Sequence, residues 1–228
     1  MRDRPGALML FAAGLGTRMG ALTADRPKPL IDVAGRPLIA HALALGREAG
    51  VERIVANVHY RAEMLRPWLE REGVAVSDES AQLLDTGGGL KAARPLLGPG
   101  PVFTLNADAV WRGPNPLELL AAAWAPERMG ALLLCVPPER ARAHEGSGDF
   151  TLGEDGPLSR GGPLVYSGAQ IIATDALDAI GEAVFSLNTV WDQLAAEGRL
   201  SGIGYAGEWC DVGRPEGIAE AERMLAGV

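Results

Sequence analysis

The first unbroken apolar run of the chain, Ala7-Leu8-Met9-Leu10-Phe11-Ala12, is short, shows no alternation with polar residues and stops at Gly14. A run that is apolar on both faces suits a strand buried on both sides, so it is expected in the interior of a parallel sheet. After a long turn, Pro37 to Gly50 has helical spacing with proline near its start and glycine at its end, and Arg53 to Val58 reads as the next strand. Glu63 to Glu72 predicts a second helix, Val74 to Ser77 a short strand, and Gly89 to Leu97 a helix approached through the run Gly87-Gly88-Gly89. Val102 to Asn106 is a further apolar strand, Pro116 to Trp124 a helix, and Gly130 to Val136 another strand. Such alternation of strand and helix predicts an α/β fold with a doubly wound, mostly parallel sheet of the Rossmann-like kind.

The rhythm changes after Pro137-Pro138. Asp149 to Leu152, the turn Glu154-Asp155-Gly156 and Leu164 to Ile172 suggest an antiparallel excursion, a small lid-like insert over about 138–172. Helices over Ser186 to Ala196 and Pro215 to Leu225 follow, with the dense segment Trp209-Cys210-Asp211-Val212-Gly213 between them. At 228 residues a second core of ordinary size would be cramped, so a single domain over 1–228 is expected.

Composition narrows the partners. A formal net charge of -8 argues against a generic nucleic-acid binder, which needs a basic face, so any anionic ligand must be held locally. Lys28 and Lys91 are the only lysines, and Arg18, Arg26 and Lys28 gather around one glycine-rich turn. Cys135 and Cys210 lie far apart with no CxxC pairing, which points to two reduced, buried thiols rather than a zinc site or a disulfide framework. Met1-Arg2-Asp3-Arg4-Pro5 leads straight into the first strand without a leader-like apolar stretch, so cytoplasmic residence and no membrane partner are expected.

Three features carry chemistry. Ala12-Ala13-Gly14-Leu15-Gly16-Thr17-Arg18-Met19 follows the first strand, with Arg26-Pro27-Lys28-Pro29-Leu30 downstream. Glycines at that place let backbone N–H groups approach phosphates, and Arg18 and Lys28 would add charge. It is neither a dinucleotide fingerprint, because Met19 stands where the third glycine belongs, nor a Walker A loop, which needs a GK[ST] end; a purely structural glycine turn stays open. Asp108 stands just past a buried strand, where open α/β sheets hold ligands, and is either a Mg²⁺ ligand or a turn cap. Asp211, boxed by Trp209, Cys210 and Val212, needs a partner, a proton or a metal if buried.

The GxGTRM turn, the downstream KPL, the aspartate after the fourth strand and the late WxDVG segment together resemble the sugar-phosphate nucleotidyltransferases, over nearly the whole chain. Within that family the compact length, Asp85-Thr86-Gly87-Gly88-Gly89, Gly148-Asp149-Phe150, Tyr166-Ser167-Gly168 and Trp209 to Gly213 look most like the N-acetylmuramate 1-phosphate uridylyltransferases of cell-wall recycling. The resemblance implies a transferase that joins a nucleoside triphosphate, UTP by preference, to a sugar 1-phosphate and releases pyrophosphate. It also implies that Gly14, Gly16 and Thr17 line the triphosphate, that Ala12 and Ala13 are among the nucleotide-binding residues, that Arg18 braces the β- and γ-phosphates, and that Lys28 sits by the α-phosphate. Asp108 and Asp211 would hold Mg²⁺. Gln82, Thr86, Gly87 and Gly88 would meet base or ribose, and Gly148, Asp149, Gly168 and Asn188 the sugar. Asn106-Ala107-Asp108 departs from the family's usual glycine before the aspartate, and Asp85 from its usual glutamate. Molybdenum-cofactor guanylyltransferases have an aspartate before the lysine, where this chain has Pro27; mannose 1-phosphate guanylyltransferases resemble it more closely but carry a further C-terminal β-rich region.

In such a reaction the nucleophile is already an anion, so no general base and no covalent intermediate are expected, and positioning plus electrostatics suffice. His41 and His144 read as structural or solvent-facing, and His59 stands at a strand end where it could border the pocket. A binding module that kept the pocket without turnover is the rival of a different class. The four charged residues speak against it, because product binding needs fewer charges than a transition state. No heptad demands an obligate protein partner.

Overall fold

The computed structural model describes residues 4–227, so Met1-Arg2-Asp3 lies outside the described residues. The first half of the chain runs β1 (Ala7–Phe11), the small hairpin β2 (Asp32–Val33) and β3 (Arg36–Pro37), α1 (Leu38–Glu48), β4 (Arg53–Val58), α2 (Ala62–Arg71), β5 (Ala75–Asp78), α3 (Asp85–Leu97), β6 (Pro101–Asn106) and β7 (Ala109–Arg112). It continues with α4 (Pro116–Ala123), β8 (Ala131–Val136), β9 (Ala141–Arg142), β10 (Phe150–Leu152), β11 (Leu158–Arg160), β12 (Val165–Ala173), α5 (Leu187–Ala196), β13 (Leu200–Gly204), β14 (Glu208–Asp211) and α6 (Pro215–Ala226).

The main sheet has seven strands in the order β13-β8-β12-β6-β1-β4-β5. Of these, β12 runs against its neighbours β6 and β8, and the remaining pairs are parallel. β1 is interior, as its double-sided apolar run demands: Leu8 and Leu10 face Ile39 and Leu43 of α1 and Leu65 and Leu69 of α2, while Ala7 and Met9 face Leu90, Ala93 and Leu97 of α3. α4 shares the first face and α5 the second, which makes the sheet doubly wound. No helix among the described residues is long and apolar enough to cross a membrane.

Two expectations change. Val165–Ala173, placed in the lid by sequence, is instead the antiparallel strand of the main sheet: seven of its nine residues are buried and it finds a free ladder on both β6 and β8. What leaves the sheet is therefore shorter, namely β9 and the hairpin of β10 with β11, in which Phe150 pairs with Arg160 across the Glu154-Asp155-Gly156 turn. Second, α3 begins at Asp85, so Gly87, Gly88 and Gly89 lie inside its first turns rather than before them. Glycine is a poor helix former, but nothing larger fits. A β-carbon on Gly87 would stand 2.4 Å from the Phe185 ring, and one on Gly88 2.2 Å from the carbonyl oxygen of Ala183.

Cys210 of β14 packs with Val33, Leu38, Val110, Val212, Ala221 and Met224 in a smaller core. There β14 pairs with β7 and β9 in a separate three-stranded sheet. That sheet matters for function because it carries Asp211 back to the carboxyl ends of the main strands.

Candidate active site

β1, β4, β5 and β6 are parallel, so the segments after them gather at one edge, the edge where open α/β sheets hold ligands. The loop after β1 is held from beneath by Asn57 near the end of β4. Its Oδ1 accepts the N–H groups of Ala12 at 2.7 Å and Ala13 at 3.2 Å, and its Nδ2 donates to Glu79 Oε1 at 2.8 Å. Glu79 Oε2 accepts the N–H of Leu84 at 3.0 Å. Both side chains are buried, Asn57 at 4% exposure and Glu79 at 2%, so their polar atoms need these partners. Gly89 makes room for the pair: a β-carbon there would stand 2.6 Å from Glu79 Oε1. Sequence reasoning missed this network, although an asparagine inside the apolar run Arg53 to Val58 was a visible signal.

The loop's glycines then divide by purpose. Gly16 has φ 65°, and a β-carbon would press on Thr23 and on Lys28 at 3.1 Å, so the fold itself requires glycine. Gly14 has no positive φ, and a β-carbon on it would meet nothing within 4 Å. It is exposed on the wall of the cleft, so the fold itself does not require glycine there. The N–H groups of Ala12 and Ala13, two residues expected to bind the nucleotide, are occupied by Asn57, leaving Ala13 to line the cleft. Thr17 lies around a separate shallow depression with Leu15, Thr23 and Tyr60.

The charged residues converge. Lys28, only 8% exposed, donates from Nζ to Asp108 Oδ2 at 2.8 Å. Asp211 is in register with Ala109, and the N–H of Val212 donates to the carbonyl of Asp108 at 2.9 Å, so the two aspartates are neighbours although more than a hundred residues apart. Burial, then the charge of Asp108, raises the Asp211 carboxyl above the usual carboxylate range, against the pull of Lys28, Arg18 and His144. A β-carbon on Gly213 would lie 2.9 Å from Asp211 Oδ1 and 3.2 Å from Arg18 Nη2, which sets Arg18 beside the pair. Arg26 turns away and pairs with Asp25 at the surface. Two adjacent carboxylates, one of them raised by burial and then by its neighbour's charge, suit a hard divalent cation that takes its other ligands from phosphate and water. Among the described residues no group of three or more His, Cys, Asp or Glu could hold a metal ion by itself.

The cleft has two chambers that meet at Phe11, Asp85, Thr86 and Asn106. The first, about 490 Å³, is walled by Gly14, Asn57, Leu83, Asp108 and Val184. The second, about 270 Å³, is walled by Asp149, Tyr166, Asn188, Trp191 and Arg160. Asp149 and Asn188, two residues expected to face the sugar, thus both line the second chamber. Gly148 and Gly168 act from behind: Gly168, at φ 83°, comes so close to the Asn106 side chain that a β-carbon would stand 2.7 Å from it. Thr86 faces both chambers, but the N–H groups of Gly87 and Gly88 donate to the carbonyl of Phe185 at 2.9 and 3.0 Å and are not free for a ligand. Gln82 is exposed, and its neighbour Leu83 lines the chamber instead. His59 is tied to the Glu79 carbonyl at 2.7 Å, outside both walls.

Cys135 and Cys210 are buried free thiols whose pKa values burial pushes up to about 12, so neither supplies thiolate at neutral pH.

The family model of the MobA-like NTP transferase domain matches residues 8–196. The chain is 41% identical to N-acetylmuramate alpha-1-phosphate uridylyltransferase of Caulobacter vibrioides, over 99% of each chain. It is 28% identical to mannose-1-phosphate guanylyltransferase catalytic subunit beta of Dictyostelium discoideum, over 91% of this chain and 61% of that one. The crystal structure of HddC from Yersinia pseudotuberculosis complexed with GMP-PN superposes with a TM-score of 0.79 at 20% identity, covering 96% of this chain and 99% of that one, a likeness of fold.

Proposed function

The chain belongs to the family of MobA-like NTP transferase domains and is a sugar-phosphate nucleotidyltransferase, and we propose that it joins UTP to N-acetylmuramate 1-phosphate, with Mg²⁺ as cofactor. The observation that carries the catalytic reading is the Lys28–Asp108 pair at 2.8 Å beside Asp211 and Arg18, at the strand edge next to a glycine that the fold itself does not require. The choice of UTP and of the sugar rests on the relative at 41% identity, and peptidoglycan recycling is the process that this choice implies.

The reaction is an in-line displacement: a phosphate oxygen of the sugar 1-phosphate attacks the α-phosphorus, the bond to the bridging oxygen breaks, and pyrophosphate leaves. Both reactants are anions in a protein of net charge -8, so the local cations govern the barrier. Lys28 neutralises charge at the α-phosphate, held in place by Asp108 so that little reorganisation is needed. Arg18 braces the β- and γ-phosphates and the departing pyrophosphate. Gly14 admits the phosphates to the loop, which Asn57 keeps in one conformation. The first chamber holds the nucleoside and the second the sugar, with Thr86 between them. Asp108 and Asp211 hold Mg²⁺, which supplies further neutralisation of phosphate charge when bound.

Pyrophosphate release is measured with each of four nucleoside triphosphates against N-acetylmuramate, mannose and glucose 1-phosphates, with Mg²⁺ and then with chelator. Release confined to UTP with N-acetylmuramate 1-phosphate, and abolished by chelator, is expected. Release with GTP and mannose 1-phosphate overturns the specificity, and none from folded protein overturns the enzyme reading in favour of a binding module.

A further inference from the structure

The second chamber contains a cation that the chemistry above does not use. Arg160, at the end of β11, is the one arginine or lysine among the residues that wall it. The guanidinium carbon lies 5.0 Å from the ring centre of Phe150 and 5.5 Å from that of Trp191, and both rings line the chamber too. Nε donates to Asp192 Oδ1 at 2.7 Å and Nη2 to the carbonyl of Asn188 at 3.0 Å. Nη1 has no hydrogen-bond partner among the described residues. Two rings and two hydrogen bonds thus fix the plane of the guanidinium and leave part of its fork unused.

Of the acids around the chamber among the described residues, only Asp192 pairs with it. Asp149 Oδ2 accepts the N–H of Tyr166 at 2.8 Å and Asp85 Oδ1 that of Thr86 at 2.6 Å, while Asp192, 62% exposed, occupies the Nε side in contact with solvent. The phosphate end of the cleft has its own cations, Lys28 and Arg18, and Asp108 borders the first chamber rather than the second. A neutral sugar needs hydrogen bonds here but no countercharge. A sugar with a carboxylate, brought into the same cleft as its own phosphate and a triphosphate, needs one, because an enclosed carboxylate without a partner is costly.

We infer that Arg160 is the specificity residue for an acidic amino sugar, binding the carboxylate of a 3-O-lactyl substituent through the free side of its guanidinium. The inference rests on the N-acetylmuramate reading above and adds the residue that recognises what distinguishes that sugar. The planar fork and its fixed orientation suit a carboxylate, and a charge-assisted bond of this kind discriminates about 10- to 100-fold between a ligand that has the group and one that lacks it.

The test compares kcat/KM for N-acetylmuramate 1-phosphate and N-acetylglucosamine 1-phosphate, which differ only in the lactyl ether, in the wild type, Arg160→Gln, Arg160→Lys and Asp192→Asn, each checked by urea denaturation. The ratio of the two values should fall about 10- to 100-fold in Arg160→Gln, mainly through KM. It should recover in part in Arg160→Lys and stay near the wild-type ratio in Asp192→Asn, which opens the surface pair but keeps the cation. A ratio that Arg160→Gln leaves unchanged, whether or not both values fall, overturns the inference alone. A wild type that does not use N-acetylmuramate 1-phosphate overturns the substrate reading and the inference with it.

Discussion

Replacing Asn57 by alanine tests whether the loop after β1 is shaped by the buried network beneath it. The substitution removes the acceptor of two backbone N–H groups, at 2.7 and 3.2 Å, and the donor to a carboxylate oxygen at 2.8 Å, all at a residue 4% exposed. A buried donor left without a partner costs about 1–3 kcal/mol, and a carboxylate that loses one partner costs more than a neutral group. Three such losses set an upper range of about 4–9 kcal/mol; water from the first chamber, which Asn57 lines, can reach part of the gap. The expected loss of stability is therefore about 3 kcal/mol, read from urea denaturation at pH 7 with the slope unchanged. Because Gly14 follows Ala13 directly, the loosened loop should also lower kcat/KM for pyrophosphate release by about tenfold or more, since small misplacements of binding groups are amplified in rate. A loss below about 1 kcal/mol would refute the claim that Asn57 holds the loop. Lost stability with full activity would refute the claim that the loop's shape serves catalysis.

Gly14→Ala should leave stability unchanged or raise it by about 0.4–1 kcal/mol, since a β-carbon there meets no protein atom, yet reduce kcat/KM by about tenfold by obstructing a phosphate; equal activity with the wild type assigns the glycine no ligand. Asp108→Ala should lower turnover by about a thousandfold while the circular-dichroism spectrum stays native, and near-normal Mg²⁺-dependent pyrophosphate release would remove Asp108 from the metal site. His41 is buried, and because Arg36 can only donate to its Nδ1, at 2.9 Å, the ring is neutral and donates from Nε2 to the Val33 carbonyl at 3.0 Å. Burial lowers its pKa, with Arg36 acting in the same direction, so its contribution to stability is complete above about pH 6.5 and is lost as pH falls through the lowered folded value. His41→Gln should flatten this part of the urea midpoint between pH 7 and pH 5, and parallel wild-type and variant curves would contradict it.

The local part of this protein was legible in its sequence because local physics decides it. A short double-sided apolar run such as Ala7 to Ala12 has few alternatives to a buried parallel strand, and Arg53 to Val58 begins and ends where its composition says it should. The same holds for the charged pieces of the site: a glycine turn after the first strand, Lys28 downstream and an aspartate past a later strand end are each tied to a nearby element. Resemblance to the family then joined them, where the residues alone leave the pairing of Asp108 with Asp211 a guess.

Only the tertiary structure decided which groups are free to act. Backbone N–H groups look equally available along a glycine run, but those of Ala12 and Ala13 are taken by Asn57 and those of Gly87 and Gly88 by Phe185, partners between about 44 and 98 residues away. Val165–Ala173 read as part of a lid because its neighbours in sequence form a hairpin, whereas its place in the sheet depends on vacant ladders on β6 and β8 that no local pattern encodes. Asp211 reaches Asp108 only through the pairing of β14 with β7, and Arg160 reaches the second chamber only because Phe150 and Trp191 converge on it. Sequence therefore determined which elements form and which charges are at hand; long-range pairing determined which donors are already satisfied, and so which remain for a ligand.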